Sequence, residues 1–283
     1  MSAVFARPLL ATEHTEHDRG SEALAFALAG KCSAPLAIVL PLLSNPEFEE
    51  VAPQVAQRAE TEAAAKLQAL RETARAVGVA VELRARRGPD PYREIVDEAR
   101  ERGSDLIVIR RRGKRGLLAN LLVGEMVRNV VAHAPCSVLV TPHEASLWSR
   151  RVLVAIDPHT NDLSPVSAAV AIAAVCALPL SVVCVTGPAA DAMQQAEKAL
   201  QKAWSTARVL GVQVDGLVRI GRPHEQIVAV ARQSGADLVV IGRHADDSLS
   251  RAGIGGVAQK VIGLAEVPVL VVVNGNAGGG TKA

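Results

Sequence analysis

Aromatic residues are nearly absent from this chain: three Phe, two Trp and one Tyr in 283 residues. A core without them has to be built from Ala, Val, Leu and Ile, and at 49% hydrophobic residues there is enough material for a sizeable one. That palette suits layered α/β packing, with β-branched residues in buried strands and Ala and Leu on the covering helices. The shortage also removes the stacking platforms on which single-stranded nucleic acid is held. Charge of one sign is lacking too, since 31 basic and 29 acidic residues leave a net +2. Nucleic acid and anionic membrane are therefore not expected partners. Cysteine is sparse, and Cys32, Cys136, Cys176 and Cys184 form no CxxC pair or zinc spacing. Each lies in apolar sequence and reads as a small buried hydrophobe in a reducing compartment. No run reaches about 18 apolar residues, the length of a membrane span. The stretch Val166–Leu180 comes closest but holds Ser167 and Pro179. The residues Met1–Pro8 carry no basic region followed by a long apolar one, so a cytoplasmic protein is expected.

What the chain does have is a duplicated pattern. Short apolar runs at Pro8–Thr12, Leu36–Leu40, Val79–Ala85, Leu106–Ile109 and Val138–Thr141 predict strands, separated by Ala-, Glu- and Arg-rich helical stretches. Asn45–Val51, which contains Pro46, reads as a loop, and Asp90 is placed to cap a helix over Tyr92–Arg102. The order restarts with strands at Val152–Ile156, Leu180–Thr186, Gln213–Ile220, Leu238–Ile241 and Val269–Val273. Glu13 and Asp157 are offset by 144 residues, whereas Gly103 and Gly235 are offset by 132. The first copy is therefore about a dozen residues longer, and the surplus falls between its second and third strands. Alternating strands and helices with right-handed crossovers make each copy a doubly wound parallel sheet. The domains are expected at 1–143 and 149–274.

The motifs come in a fixed order. In the second copy they are Val152-Leu-Val-Ala-Ile-Asp157, Gly221-Arg-Pro223, Gly235-Ala-Asp-Leu-Val-Val-Ile-Gly-Arg-His244 and Val267-Pro-Val-Leu-Val271. The first copy has Pro8-Leu-Leu-Ala-Thr12, Gly103-Ser-Asp-Leu-Ile-Val-Ile109 and His133-Ala-Pro-Cys-Ser-Val-Leu-Val140. Over nearly its whole length the chain thus resembles the universal stress protein family in its tandem two-domain form. The resemblance implies two α/β, Rossmann-like domains, each a five-stranded parallel sheet with helices on both faces. It also implies that they pack as an intramolecular pseudo-dimer through their last strands, Val138–Thr141 against Val269–Val273, with further pairing of two chains into a homodimer.

Many members of that family bind ATP. Their signature is an acid after the first strand, which contacts adenine. After the fourth strand come a glycine, two residues, a second glycine, nine residues, and then glycine followed by serine or threonine. The chemistry is plain: glycines let backbone N–H groups close on phosphates, and the hydroxyl adds a donor at a helix start. Carried onto the second copy, the site is Asp157, Gly242, Arg243, His244, Gly255 and Gly256, with Ala245 in place of the second glycine and Gly256 in place of the hydroxyl residue. Asp246 and Asp247 add negative charge near the phosphates. The first copy departs further: Glu13 replaces the aspartate, Arg110 the first glycine and Glu125 the hydroxyl residue. An adenine nucleotide, with the magnesium that accompanies ATP, is expected in the second domain only.

Other constellations are weaker. Glu13-His14-Thr-Glu16-His17-Asp18 gathers ligand types but not at HExxH spacing, and no metal site is assigned to it. His159, His224 and His244 fall on loops at one end of the second sheet and read as cleft-lining or solvated. The basic run Arg110–Arg115 reads as a solvated loop or a contact for an anion or an acidic protein partner. No GxSxG elbow occurs, so binding and regulation are expected rather than catalysis. The rival readings are a ligand-free interaction scaffold and a weak ATP hydrolase.

Overall fold

The computed structural model describes residues 4–111, 124–243 and 253–273. The first half runs β1 (Pro8–Ala11), α1 (Arg19–Cys32), β2 (Leu36–Leu43), α2 (Pro46–Val51), α3 (Pro53–Ala76), β3 (Val81–Gly88), α4 (Pro91–Arg102), β4 (Leu106–Arg110), α5 (Glu125–His133) and β5 (Ser137–Thr141). The second runs β6 (Val152–Ile156), α6 (Ser164–Cys176), β7 (Leu180–Thr186), α7 (Ala190–Val209), β8 (Val214–Ile220), α8 (Pro223–Ser234), β9 (Leu238–Gly242), α9 (Gly256–Leu264) and β10 (Val269–Val272).

All ten strands join one sheet in the order β3-β2-β1-β4-β5-β10-β9-β6-β7-β8. Pairing is parallel within each half and antiparallel only at the junction, where Leu139 faces Leu270. Val138 faces Val271 and Val140 faces Val269. The last strands therefore meet as the family resemblance implied, and a pseudo-two-fold axis passes between Leu139 and Leu270. Both side chains are fully buried. Two apolar layers cover the sheet, and each is continuous across the junction. One is built around α1, α3, α6 and α7, the other around α4, α5, α8 and α9. As the composition demands, the layers consist almost wholly of Ala, Val, Leu and Ile.

Local chemistry explains the turns. Gly103 and Gly235 end α4 and α8 in the left-handed conformation, at φ 57° and 68°, where a Cβ would be strained. Two residues on, the Asp105 carboxylate accepts the backbone N–H groups of Ala6 and Arg7. Its counterpart Asp237 accepts those of Ser149, Arg150 and Arg151 at 2.7–3.0 Å. These aspartates moor the entry to the first strand of each half, which accounts for the repeated Gly-x-Asp-Leu.

Two local expectations need correction. Asn45–Val51 is not a plain loop, because Pro46 opens α2 at the first helical position, where its missing N–H costs nothing. Most of the first copy's surplus is this helix together with the greater length of α3, 24 residues against 20 in α7. Asp90 does stand at the N-cap of α4, but its side chain pairs with Arg93 at 3.0 Å instead of capping backbone N–H groups. Among the described residues no helix is long and apolar enough to cross a membrane.

Candidate functional site

In a parallel sheet the C-terminal strand ends, together with the helix N-termini that follow them, form the crevice where ligands collect. In the second half that place is an open cleft of about 380 Å³, within the range of small-molecule sites. Its walls include Ala155, Ile156, Val185, Ile227, Ile241 and Val257, an apolar slot suited to a flat ring. Asp157, directly after β6, stands on its rim. Its Oδ1 accepts the N–H of His159 at 2.9 Å, an Asx turn that holds the carboxylate in place. Oδ2 has no hydrogen bond among the described residues.

At the other end, β9 finishes at Gly242, and Gly255 caps the start of α9. Arg243 ties these pieces together through its backbone. Its N–H donates to Val272 O on β10 at 3.1 Å, and its carbonyl accepts the N–H of Gly255 at 3.0 Å. The first turn of α9 leaves the N–H groups of Gly256, Val257 and Ala258 without acceptors inside the helix, at the positive end of its dipole.

Of the expected residues, the fold brings Asp157, Gly242, Arg243 and Gly255 to the cleft. Gly256 opens α9 beside it without lining it, while Val257 and Ala258 do line it. His244, Ala245, Asp246 and Asp247 lie outside the described residues. His159 is on the rim, whereas His224 is not among the lining residues. Burial and nearby Lys260 hold the His224 imidazole below its usual value. The Arg243 guanidinium is engaged outside the cleft: Nη1 reaches over the junction to the carbonyls of Ala132 at 3.2 Å and Ala134 at 3.5 Å.

One lining residue escaped sequence reading. Thr186, the last residue of β7, is 6% exposed, and its hydroxyl has no hydrogen-bond partner among the described residues. Threonine at a strand end is unremarkable in sequence, so nothing there marked it out.

The equivalent place in the first half is filled. Only about 10 Å³ remains among Ala11, Thr12, Glu13, Asp18, Pro41, Ile95, Ile109, Arg110 and Met126, room for roughly one water. Arg110 sits where the second half has Gly242. Its Nε lies 2.5 Å from Oδ1 of Asp18, an ion pair without hydrogen-bond alignment, and Nη2 lies 3.4 Å from Oε2 of Glu13. Asp18 also accepts the N–H and hydroxyl of Thr15. Glu22 accepts the Thr12 hydroxyl at 2.6 Å and contacts His14 Nδ1 at 3.0 Å. The ligand-type residues of this loop are thus engaged with one another, and no group of three that could hold a metal occurs among the described residues. Within the basic run, Arg110 and Arg111 are inward-facing, and residues 112–115 lie outside the described residues.

The profile of the universal stress protein family matches the chain twice, over residues 9–142 and 149–273. The chain belongs to the universal stress protein family. It is 36% identical over 67 residues to universal stress protein MJ0577 of Methanocaldococcus jannaschii, covering 24% of this chain and 41% of that one. It is 34% identical over 96 residues to universal stress protein Sll1388 of Synechocystis, covering 34% and 61%. These matches span about two-fifths to three-fifths of the relatives' lengths. A universal stress protein structure from Archaeoglobus fulgidus shares the whole architecture. Its TM-score is 0.71 at 18% identity, with 96% of this chain and 97% of that one covered.

Proposed function

We propose that this universal stress protein is a binding and regulatory protein of two domains, 1–143 and 149–274, whose second domain holds an adenine nucleotide and whose first does not. One observation carries the reading. At places related by the pseudo-two-fold, the second half has a cleft of about 380 Å³ beside Gly242, and the first has about 10 Å³ beside Arg110. A flat base fits the apolar slot, with its exocyclic amino group donating to Asp157. The unpartnered Thr186 hydroxyl supplies a further hydrogen-bonding group on the same wall. Phosphates fall toward Gly242, Gly255 and the free N–H groups of α9, where helix geometry favours negative charge. ATP fits this polarity, and its magnesium would arrive on the triphosphate. In the first half, Glu13 and Asp18 line the space with carboxylates that disfavour phosphate.

Freshly purified protein, denatured and cleared, should release adenine nucleotide, or the folded chain should bind added ATP with a stoichiometry of one per chain. A stoichiometry of two would overturn the asymmetry. Empty protein that ignores millimolar ATP would remove the nucleotide reading and leave a ligand-free scaffold acting through protein partners.

A further inference from the structure

The two arginines that follow β4 and β9 exchange places across the junction. Arg243 reaches α5 of the first half, as described above, and Arg111 of the first half reaches α9 of the second. Arg111 Nη1 lies 2.8 Å from the carbonyl of Ile262, 3.0 Å from that of Gly263 and 2.6 Å from that of Ala265. These are the carbonyls that a helix leaves unsatisfied at its C-terminus, where the dipole is negative and a cation is stabilising. The last turn of α9 contains no basic residue of its own. The cation therefore comes from the other half. Arg111 is itself held, its backbone N–H donating to Thr141 O on β5 at 2.7 Å. Burial lowers its pKa, opposed by Glu266.

The opposite end of α9 is the end that borders the cleft. The helix has nine residues and is about 13 Å long, a short rigid rod gripped at one end by the first half and presenting its free N–H groups at the other. We infer that Arg111 is a positioning residue for the second-half cleft, through which the first domain, itself closed to ligand, sets the phosphate-facing end of α9. The inference rests on the nucleotide reading and names how that site is regulated: any partner that shifts the first half against the second changes affinity for the phosphates. It also assigns the closed first half a task of its own. The mirror contact is looser, at 3.2 and 3.5 Å, and α5 borders the filled cleft, so coupling runs mainly toward the second half.

The test uses the full chain carrying Arg111→Met, which keeps the apolar stem and removes the guanidinium. Titration with ATP and with adenosine is paired with amide hydrogen exchange on the ligand-free protein. The expected result is a rise of about tenfold in the ATP Kd with the adenosine Kd unchanged, and faster exchange at residues 259–261, whose N–H groups close the first turn of α9, while β6 and β9 keep their rates. Arg111→Lys should recover part of the loss and serves as the test variant if Arg111→Met does not fold. Equal weakening of ATP and adenosine, or no change in either with unchanged exchange, overturns the inference. If the wild-type chain binds no ATP, the nucleotide reading falls on its own. Exchange at 259–261 then decides: faster in the variant upholds the coupling, and unchanged overturns it.

Discussion

Gly256→Ser should improve nucleotide binding, and the structure says by how much. A Cβ added at Gly256 meets no atom within 4 Å, and the residue sits in an ordinary helical conformation. The new hydroxyl would lie at the first position of α9, beside Gly255 and the unsatisfied N–H groups. A hydrogen bond from a neutral hydroxyl to a charged phosphate oxygen contributes about 1.5–3 kcal/mol. With tenfold in affinity for each 1.4 kcal/mol or so, the ATP Kd should fall by roughly one to two orders of magnitude. Serine is also a better helix former than glycine by about half a kcal/mol, so the melting temperature should rise slightly even without ligand. Isothermal titration with ATP and adenosine separates the two effects, because adenosine has no phosphate for the hydroxyl to reach. A variant with raised melting temperature but unchanged ATP affinity would refute the placement of the phosphates at α9. Gains for adenosine and ATP alike would refute it equally.

Asp157→Asn keeps the turn to His159 yet presents an amide where the base amino group needs a pure acceptor. ATP and adenosine should both weaken by about tenfold or more in the same titration, reflecting a lost charge-assisted bond of about 1.5–3 kcal/mol. Arg110→Met strands the carboxylate of Asp18, which is 2% exposed. Urea denaturation should show a loss of about 3–5 kcal/mol, and the titrated stoichiometry should stay at one because the carboxylates of the first cleft remain. Glu98 on α4 is fully buried and pairs with Arg84 at 3.0 Å, Arg86 at 2.9 Å and Arg102. Burial pushes its carboxyl pKa up, but the three guanidiniums outweigh burial and hold it below the ordinary 4.5. Its contribution is therefore complete above pH 4.5 and lost as pH falls through the lower folded-state value. Glu98→Gln should destabilise the chain by about 3–5 kcal/mol at pH 7, with the gap to wild type narrowing in acid denaturation below pH 4.5.

Most of the architecture was legible because most strands are short apolar runs and each half repeats the same punctuation. Leu106–Ile109 and Leu238–Ile241 announce themselves as buried strands through unbroken apolar sequence. The antiparallel seam could be placed only through the family likeness, since no pattern in Ser137–Thr141 or Val269–Val272 names its partner. Helix α2 was hidden by Pro46, which marks a break and a helix start equally well. The open site followed from glycine positions, but the direction of Arg243 did not. Beside Gly242 it looks like a phosphate ligand, and only the three-dimensional neighbourhood of α5 shows where its charge is used. Arg110 was visible as a lost glycine, yet its burial against Asp18 joins positions 92 residues apart that no local motif links. Thr186 was silent because an unpartnered hydroxyl is a property of its surroundings, not of its sequence.

Joining two sheets edge to edge leaves two free edges among the described residues, β3 and β8, at opposite ends of the ten strands. They are unalike. β3 carries Glu82, Arg84, Arg86 and Arg87, locked into ion pairs with helices α2, α3 and α4. β8 has fewer charges: Asp215 pairs with Arg151 at 2.7 Å, Val214, Leu217 and Val218 pack against the apolar layers, and Ile220 is exposed. Charge guards an edge against pairing with another chain. A filament grown by strand addition needs both edges to be adhesive. The armoured strand at the far end of the first half withholds one of them and so disfavours polymerisation.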